Sequence, residues 1–307
     1  MFINIISIFC FILLFIYGIN VLTSFLESYF LNKSKLHYSK LSNIYVSFIF
    51  GTLITFLTQS SSAITAIMIA FLNAKQIKLK NAIAVMLGAN IGTTFTSLIT
   101  SFSLDQYSYI ILGVGLFLSL LKKTNNISKF FIGLGFIFYS LFCLKNTLAV
   151  VFDNIEYIYF LKYANNSVIL STWNGILLSG LLQSSSVTIA ITQLCTTNGS
   201  ISVLSGICVI LGSNIGTTFT GLICSLKSSY ESKLLAISHL IINVLGVFVI
   251  LPFVKYFIRI KYNNISLFLS LIHIFFNIIS CSVALFFINQ IIKLSKLLVK
   301  KEPNLKN

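Results

Sequence analysis

The sequence predicts an all-α polytopic membrane protein, and three observations support this. Of its 307 residues, 57% are hydrophobic and only 9% are charged, whereas soluble domains carry about 25% charged residues. Several apolar stretches are longer than the roughly 18 residues that mark a membrane span. A polar unit at residues 51–100 returns at residues 175–224. Together they exclude a water-covered soluble domain and predict an internally duplicated membrane protein.

Nine apolar stretches follow one another along the chain, and most could cross about 30 Å of hydrocarbon at 1.5 Å per residue. We expect about seven of them to span the membrane, in one transmembrane transport domain of residues 1–307. The first stretch has no basic start and no small-residue cleavage site, so we expect it to be retained as a span. The stretches are 2–26, 44–72, 81–101, 108–121, 130–150, 168–196, 201–225, 234–254 and 265–292.

Two of these stretches, 44–72 and 168–196, carry a polar run near the middle. A continuous helix would place these side chains together in the centre of the bilayer without partners. A re-entrant hairpin, made of two half-helices that meet at a polar tip, is tolerated where the tip is buried in protein or lines a wet cavity. We therefore predict two hairpins. Their tips are Thr58-Gln59-Ser60-Ser61-Ser62 and Gln183-Ser184-Ser185-Ser186.

The basic residues support the hairpins. The first is flanked by Lys33, Lys35 and Lys40 before it and by Lys75, Lys78 and Lys80 after it, and both clusters lie inside only if the chain re-enters. Carried along the chain, this topology places 16 basic residues and the C-terminus inside and four outside. The cluster at 255–261 is its one clear misfit. We assign the net charge of +15 to topology and lipid headgroups, and expect no nucleic-acid partner.

The two polar units align without a gap at an offset of 124 residues, with 23 of 50 positions identical. The identities include strings of polar residues, which chance similarity between apolar segments would not produce. The repeats extend over about 44–121 and 168–254, before a C-terminal span at 265–292. Three spans lie between the hairpins, so the second unit is predicted to be inverted, as in many secondary transporters.

The serine runs predict an anion site. Ser is a good N-cap, so each run would open the second half-helix, 61–72 or 185–196, whose first turn has free N–H groups and a positive dipole end. Two such tips would surround one point with hydroxyls, amides and N–H groups, which suits an oxyanion. The alternative is that the serines only join helices by hydrogen bonds.

A second motif follows each hairpin, Gly-x-Asn-Ile-Gly-Thr-Thr at 88–94 and 212–218. The glycines permit local unwinding, and freed carbonyls with Asn and Thr oxygens would make a hard-cation site. We therefore expect each hairpin to be followed by a broken helix; the alternative is close helix packing by small residues. His239 and His273 each lie four residues before an Asn, on one helical face, and serve either in packing or gating or in direct contact with substrate.

These residues resemble the type II sodium–phosphate cotransporters, particularly their bacterial branch, in the duplicated Gln-Ser-Ser-Ser and Gly-x-Asn-Ile-Gly-Thr-Thr motifs and the later His-x-x-x-Asn segments. The resemblance implies sodium-coupled phosphate transport by alternating access in a prokaryotic inner membrane, with no cofactor besides the coupling sodium. It implies phosphate ligands at Gln59, Ser60, Ser61, Ser62, Gln183, Ser184, Ser185 and Ser186. The implied sodium ligands are Asn90, Thr93, Thr94, Asn214, Thr217 and Thr218.

The chain departs from that family in two places. Many bacterial members carry a C-terminal domain similar to the phosphate-regulatory protein PhoU, and here we expect that regulation either to be missing or to be supplied by a separate chain. The segment from His239 to Asn243 reads His-Leu-Ile-Ile-Asn, where the family usually has Phe before Asn. Three other functions stay open: transport of sulfate, arsenate or a carboxylate; a non-transporting scaffold or sensor; and an intramembrane serine enzyme, for which no Gly-x-Ser-x-Gly motif is present.

Overall fold

A computed structural model describes residues 2–26, 43–102, 107–121, 125–152 and 167–299. Within these ranges the chain forms helices and short connections, with no strand. A 3-10 turn spans Leu251–Phe253, between the helices Tyr230–Ile250 and Val254–Phe257. The helices are α1 (Phe2–Leu26), α2 (Ile44–Thr58), α3 (Ser61–Asn73), α4 (Leu79–Ser101), α5 (Ser108–Leu120), α6 (Asn125–Phe152), α7 (Val168–Leu182), α8 (Ser185–Thr197), α9 (Val203–Gly216), α10 (Thr218–Ser225), α11 (Tyr230–Ile250), α12 (Val254–Phe257), α13 (Ile265–Phe286) and α14 (Ile288–Leu298).

Five helical segments in the described part of the chain are long and apolar enough to cross a membrane. The apolar parts of α1 and α5 are shorter, so five of about seven expected spans meet that criterion. The all-α polytopic membrane fold is confirmed. The five segments are Leu79–Ser101, Ile127–Leu144, Val203–Ser225, Tyr230–Phe257 and Ile265–Phe286.

Both polar tips interrupt their helices as the hairpin interpretation requires. The helices α2 and α3 are separated by Gln59 and Ser60, and α7 and α8 by Gln183 and Ser184. The two glutamines adopt left-handed backbone conformations, with φ of 53° and 51°. The serine after each one is extended, and its hydroxyl accepts a hydrogen bond from the first turn of the next helix. The predicted half-helix starts at 61 and 185 are therefore confirmed.

The expected broken helix is wrong for the first repeat, and in the second repeat the interruption is present but is limited to one residue. Helix α4 runs unbroken through Gly88 and Gly92. The interruption between α9 and α10 is the single residue Thr217, which keeps right-handed helical angles and an N–H bond to the Ser213 carbonyl. The physical reason is that the glycines serve packing: a side chain on Gly88 would overlap the backbone of α2 at Phe48.

The glycine contacts repeat at the same offset as the sequence. Gly51 of α2 lies against the Val85 backbone of α4, and Gly175 of α7 lies against the Val209 backbone of α9. These pairs are 124 residues apart, so the two copies share their backbone packing as well as their motifs. The inversion of the second copy relative to a membrane stays a prediction.

The C-terminal boundary needs correction. The expected span 265–292 divides into α13 and α14, which meet at Phe287. The basic cluster at 255–261 lies in and after α12, in the connection from α11 to α13, so 234–254 belongs to one nearly continuous helical segment. The flanking Lys33, Lys35 and Lys40 and the C-terminal tail after residue 299 lie outside the described residues.

Candidate functional site

All eight predicted phosphate ligands line one cavity of about 200 Å³, which we call the tip cavity. Helix α1 closes part of its wall with Ile16, Ile19 and Asn20. The other lining residues are Thr58, Thr93, Leu182 and Val187. The two Gln-Ser-Ser-Ser tips, far apart in sequence, therefore meet as the sequence predicts.

The tips are built by helix termini. Each cavity-lining serine run contains the N-cap of a following helix, Ser60 for α3 and Ser184 for α8. The two helices thus direct the positive ends of their dipoles and their first-turn N–H groups to one place. The tips also bond to each other, because the Ser62 hydroxyl donates to the Gln183 carbonyl at 3.2 Å.

Among the described residues that line the tip cavity there is no Lys, Arg, His, Asp or Glu. Its polar groups are hydroxyls, carboxamides and backbone groups. Neutral donors at two helix N-termini can hold an anion without forming an ion pair. No ion pair then has to be broken when the anion leaves. The described residues contain no cluster of three or more His, Cys, Asp and Glu that could hold a metal ion. The arrangement therefore suits reversible anion binding.

The two tip glutamines differ in their surroundings. Gln59 is 5% exposed; its amide donates to the Phe56 carbonyl and its side-chain oxygen accepts from the Thr96 hydroxyl. Gln183 is exposed in the tip cavity. In this conformation the Gln183 carboxamide is the more available donor.

The six candidate sodium ligands have different surroundings. Thr93 lines the tip cavity, and its hydroxyl donates to the Ala89 carbonyl at 2.9 Å. The hydroxyls of Thr94, Thr217 and Thr218 likewise donate to carbonyls of their own helical segments. Because α4 is unbroken, its carbonyls are not released as a broken helix would release them. The sodium ligands stay a prediction, with Thr93 in the lining of the candidate anion site.

The motif asparagines bind the two histidine segments instead. His239 Nε2 lies 3.1 Å from Asn90 Oδ1, and Asn90 donates to Asn243 at 3.3 Å. In the second copy His273 Nε2 lies 3.4 Å from Asn214 Oδ1, and Asn277 donates to that same oxygen at 3.3 Å. All six side chains are buried. These contacts favour the packing interpretation of the histidines over direct substrate contact.

A second polar cavity, of about 320 Å³, lies where α4 and α8 end and α13 begins. Gln193 of α8 lines it and is only 2% exposed. Its amide nitrogen donates to the Ser97 and Ser266 carbonyls and to the Ser270 hydroxyl, and its oxygen accepts from Thr100. This one side chain joins three helices beside the cavity.

Replacing Gln193 by Met should destabilise the protein by about 2–4 kcal/mol, because similar volume is kept while several buried groups lose their partner. Thermal unfolding of the purified protein in detergent measures this. Gln76→Met is the matched control, since Gln76 is exposed in the connection between α3 and α4. Equal melting temperatures for the two variants would contradict the assigned role of Gln193.

Three residues near the sites were missed by the motif analysis. Asn20 is one of two carboxamide residues in the mostly apolar first span, with Asn4 near its start, and its polarity within that span was the available signal. Thr96 lies two residues after the Thr-Thr pair of the second motif and contacts Gln59. The position equivalent to Gln193 in the first repeat is Ile69. A comparison that looks for polar residues shared by both repeats therefore does not find Gln193.

Comparison with known proteins gives consistent results. A family model described as Na+/Pi-cotransporter matches residues 14–146 and 154–287. YqeW of Bacillus subtilis, an uncharacterised protein, is 33% identical over 215 residues, which are 67% of this chain and 68% of that protein. YjbB of Salmonella typhimurium, named as a candidate inorganic phosphate export protein, is 25% identical over 214 residues. The match covers 68% of this chain but 39% of YjbB. No solved structure matches the chain.

Proposed function

The chain belongs to the Na+/Pi-cotransporter family, and on that premise we propose that it carries inorganic phosphate across a cell membrane, coupled to sodium, by alternating access. Both repeats, 44–121 and 168–254, would act in one transport domain. The protein would serve as a transporter and not as an enzyme.

The observation that carries the proposal is the tip cavity. Eight residues of two sequence-distant tips surround about 200 Å³ with neutral donors at two helix N-termini. A phosphate ion offers four oxygens as acceptors, and hydroxyls, carboxamides and free N–H groups can donate to them from both sides. The described part of the lining includes no cationic side chain, so a co-bound sodium would supply positive charge and couple the two ions.

Radiolabelled phosphate uptake into proteoliposomes tests this proposal. We expect uptake under an inward sodium gradient and at least tenfold less when choline replaces sodium, because the anion would then enter an uncharged site without its countercharge. Liposomes without protein provide the background. Equal uptake in sodium and choline would rule out coupling, and uptake at the background level in both would contradict phosphate transport.

A transporter of another anion is the second candidate, since hydroxyl and amide donors do not by themselves distinguish tetrahedral oxyanions. Sulfate, arsenate and a small carboxylate, each added in excess to the same assay, would reveal the preferred anion as the strongest competitor. Phosphate binding without flux would instead favour a non-transporting scaffold or sensor. Labelling by a fluorophosphonate probe would favour the serine enzyme.

The direction of transport follows from the gradients and not from the fold. The YjbB relatives are named for export, and we propose that this chain works in either direction as the combined gradients dictate. The membrane would be a prokaryotic inner membrane with the C-terminus on the cytoplasmic side. Membrane lipid would surround the apolar helix faces, and a regulator similar to PhoU would bind as a separate chain.

A further inference from the structure

The two tip glutamines share a backbone geometry but not a side-chain position. Gln59 has φ 53° and ψ 20°, and Gln183 has φ 51° and ψ 28°. They occupy equivalent positions 124 residues apart, each at the C-terminal cap of the first half-helix. Yet Gln59 is buried against α4, and Gln183 is exposed in the tip cavity. At the two tips the asymmetry between the repeats is therefore located in the side chains and not in the backbone.

The threonines behind these tips show the complementary difference. Thr96 of α4 donates its hydroxyl hydrogen to the Gln59 side-chain oxygen. Thr220 of α10 is its equivalent, again 124 residues on, and its hydroxyl oxygen is buried with no hydrogen-bond partner among the described residues. Buried hydroxyls almost always have a partner, and leaving one unpaired is unfavourable. The second repeat therefore contains the equivalent of Thr96, but without the contact to a tip glutamine that Thr96 makes.

The surroundings of Thr220 could receive Gln183. Helices α7 and α10 are in contact close to both residues, because a side chain on Gly180 would meet the Phe219 ring. Gly180 lies three residues before Gln183, and Phe219 directly precedes Thr220. The Gln59 amide donates to the Phe56 carbonyl, and the equivalent carbonyl is that of Gly180. It is among the last four carbonyls of α7, which the helix itself leaves without partners. The second repeat therefore has a donor hydroxyl and an acceptor carbonyl at the sequence positions equivalent to those that hold Gln59 in the first.

We propose that Thr96 and Thr220 are positioning residues that hold Gln59 and Gln183 alternately during the transport cycle. In the conformation described, Thr96 holds Gln59, and the Gln183 carboxamide is free to donate to the anion. In the opposite conformation Thr220 holds Gln183, and Gln59 turns to the anion. Repeated halves that exchange conformations in this way convert one access state into the other. The anion contact rests on the proposed function, whereas the exchange of side-chain positions does not.

Each threonine would bias the equilibrium in its own direction. Loss of one such hydrogen bond should change the ratio of the two conformations about fivefold. Thr96→Val disfavours the described conformation, and Thr220→Val disfavours its opposite. In the double variant the two effects should cancel. A threonine that only supported packing would not produce opposite shifts that cancel.

The test measures access to the tip cavity from each side of the membrane, with no phosphate present. Asn20→Cys places a thiol in the cavity lining, in a background where the three cysteines that are not buried, Cys10, Cys143 and Cys224, are replaced by Ser. A membrane-impermeant thiol reagent is applied to right-side-out and to inside-out vesicles. The ratio of the two labelling rates reports the two conformations.

We expect the single valine variants to shift this ratio about fivefold in opposite directions and the double variant to return within about twofold of the parent. Thr96→Ser and Thr220→Ser keep the hydroxyl and should match the parent. Thr55→Val and Ser179→Ala are matched controls and should leave the ratio unchanged. Thr55 and Ser179 occupy equivalent positions in the two repeats, and each buries a hydroxyl that has no hydrogen-bond partner among the described residues.

Shifts in the same direction, an unchanged ratio, or a double variant that fails to return would overturn the proposal. If a valine variant does not accumulate in the membrane, Thr96→Ala and Thr220→Ala replace the valine variants. The same opposite shifts of the labelling ratio are expected. Because the labelling needs no phosphate, a protein that carries no phosphate would contradict the proposed function and leave the labelling result valid.

Discussion

Replacing Gln183 by Ala should lower phosphate flux about 100-fold while the protein still inserts and folds. The side chain is exposed in the tip cavity, so its removal leaves no buried partner behind and should change stability by less than about 0.5 kcal/mol. Its loss removes a carboxamide donor to a charged ligand, a contact of about 1.5–3 kcal/mol. Initial rates of radiolabelled phosphate uptake in proteoliposomes measure the effect.

The twin variant separates binding from folding. Gln59→Ala should also lower flux, but it leaves the Thr96 hydroxyl without its partner in a buried position, so its melting temperature should fall as well. Gln76→Ala, at an exposed glutamine outside the cavity, should match the parent protein in both measurements. Wild-type flux by the Gln183→Ala variant would show that the tip does not bind the transported anion.

Replacing Gly88 by Ala should prevent the first repeat from packing. The added methyl group would overlap the Phe48 carbonyl and the Thr52 amide of α2, and both are backbone atoms that cannot rotate away. Overpacking of this kind costs about 3 kcal/mol or more when backbones must move apart. We expect little monodisperse protein by size-exclusion chromatography in detergent, and a strongly lowered melting temperature for what remains.

Gly113→Ala in α5 is the control, because a side chain there would meet nothing within 4 Å. It should behave as the parent protein, or slightly better since Ala favours helix. Gly212→Ala should repeat the Gly88→Ala result, because its side chain would overlap the Thr172 carbonyl in the same way. A well-folded Gly88→Ala protein would show that the two helices can separate without loss.

The sequence predicts the hairpins well because two independent features indicate them. Polar runs inside apolar stretches violate the energetics of a plain span, and serine at the start of a half-helix has a local capping preference. The observed caps at Ser60 and Ser184 follow from these local effects. The meeting of the two tips in one cavity was an inference from duplication, and the residues named for it all line that cavity.

The glycine motif was harder to interpret because glycine has two uses. It permits unusual backbone angles and it permits close contact, and only the position of the neighbouring helix distinguishes them. At Gly88 and Gly212 the neighbour is near enough that contact explains the residue. The partners of Asn90 and Asn214 lie on α11 and α13, and their register against α4 and α9 is a tertiary property that spacing alone does not reveal.

The left-handed backbone at Gln59 and Gln183 bears on how such a protein can change over time. A residue other than Gly in this conformation carries a cost of about 1–2 kcal/mol. At Gln59 the contact with the buried Thr96 hydroxyl offsets part of that cost, whereas Gln183 is exposed in the tip cavity, so glycine would suit position 183 better for folding alone. Both copies of the duplicated unit nevertheless have glutamine at the tip. At Gln183 the sequence of greatest stability and the sequence of greatest use therefore diverge, and selection for thermostability alone would be expected to favour replacement of this residue of the anion site.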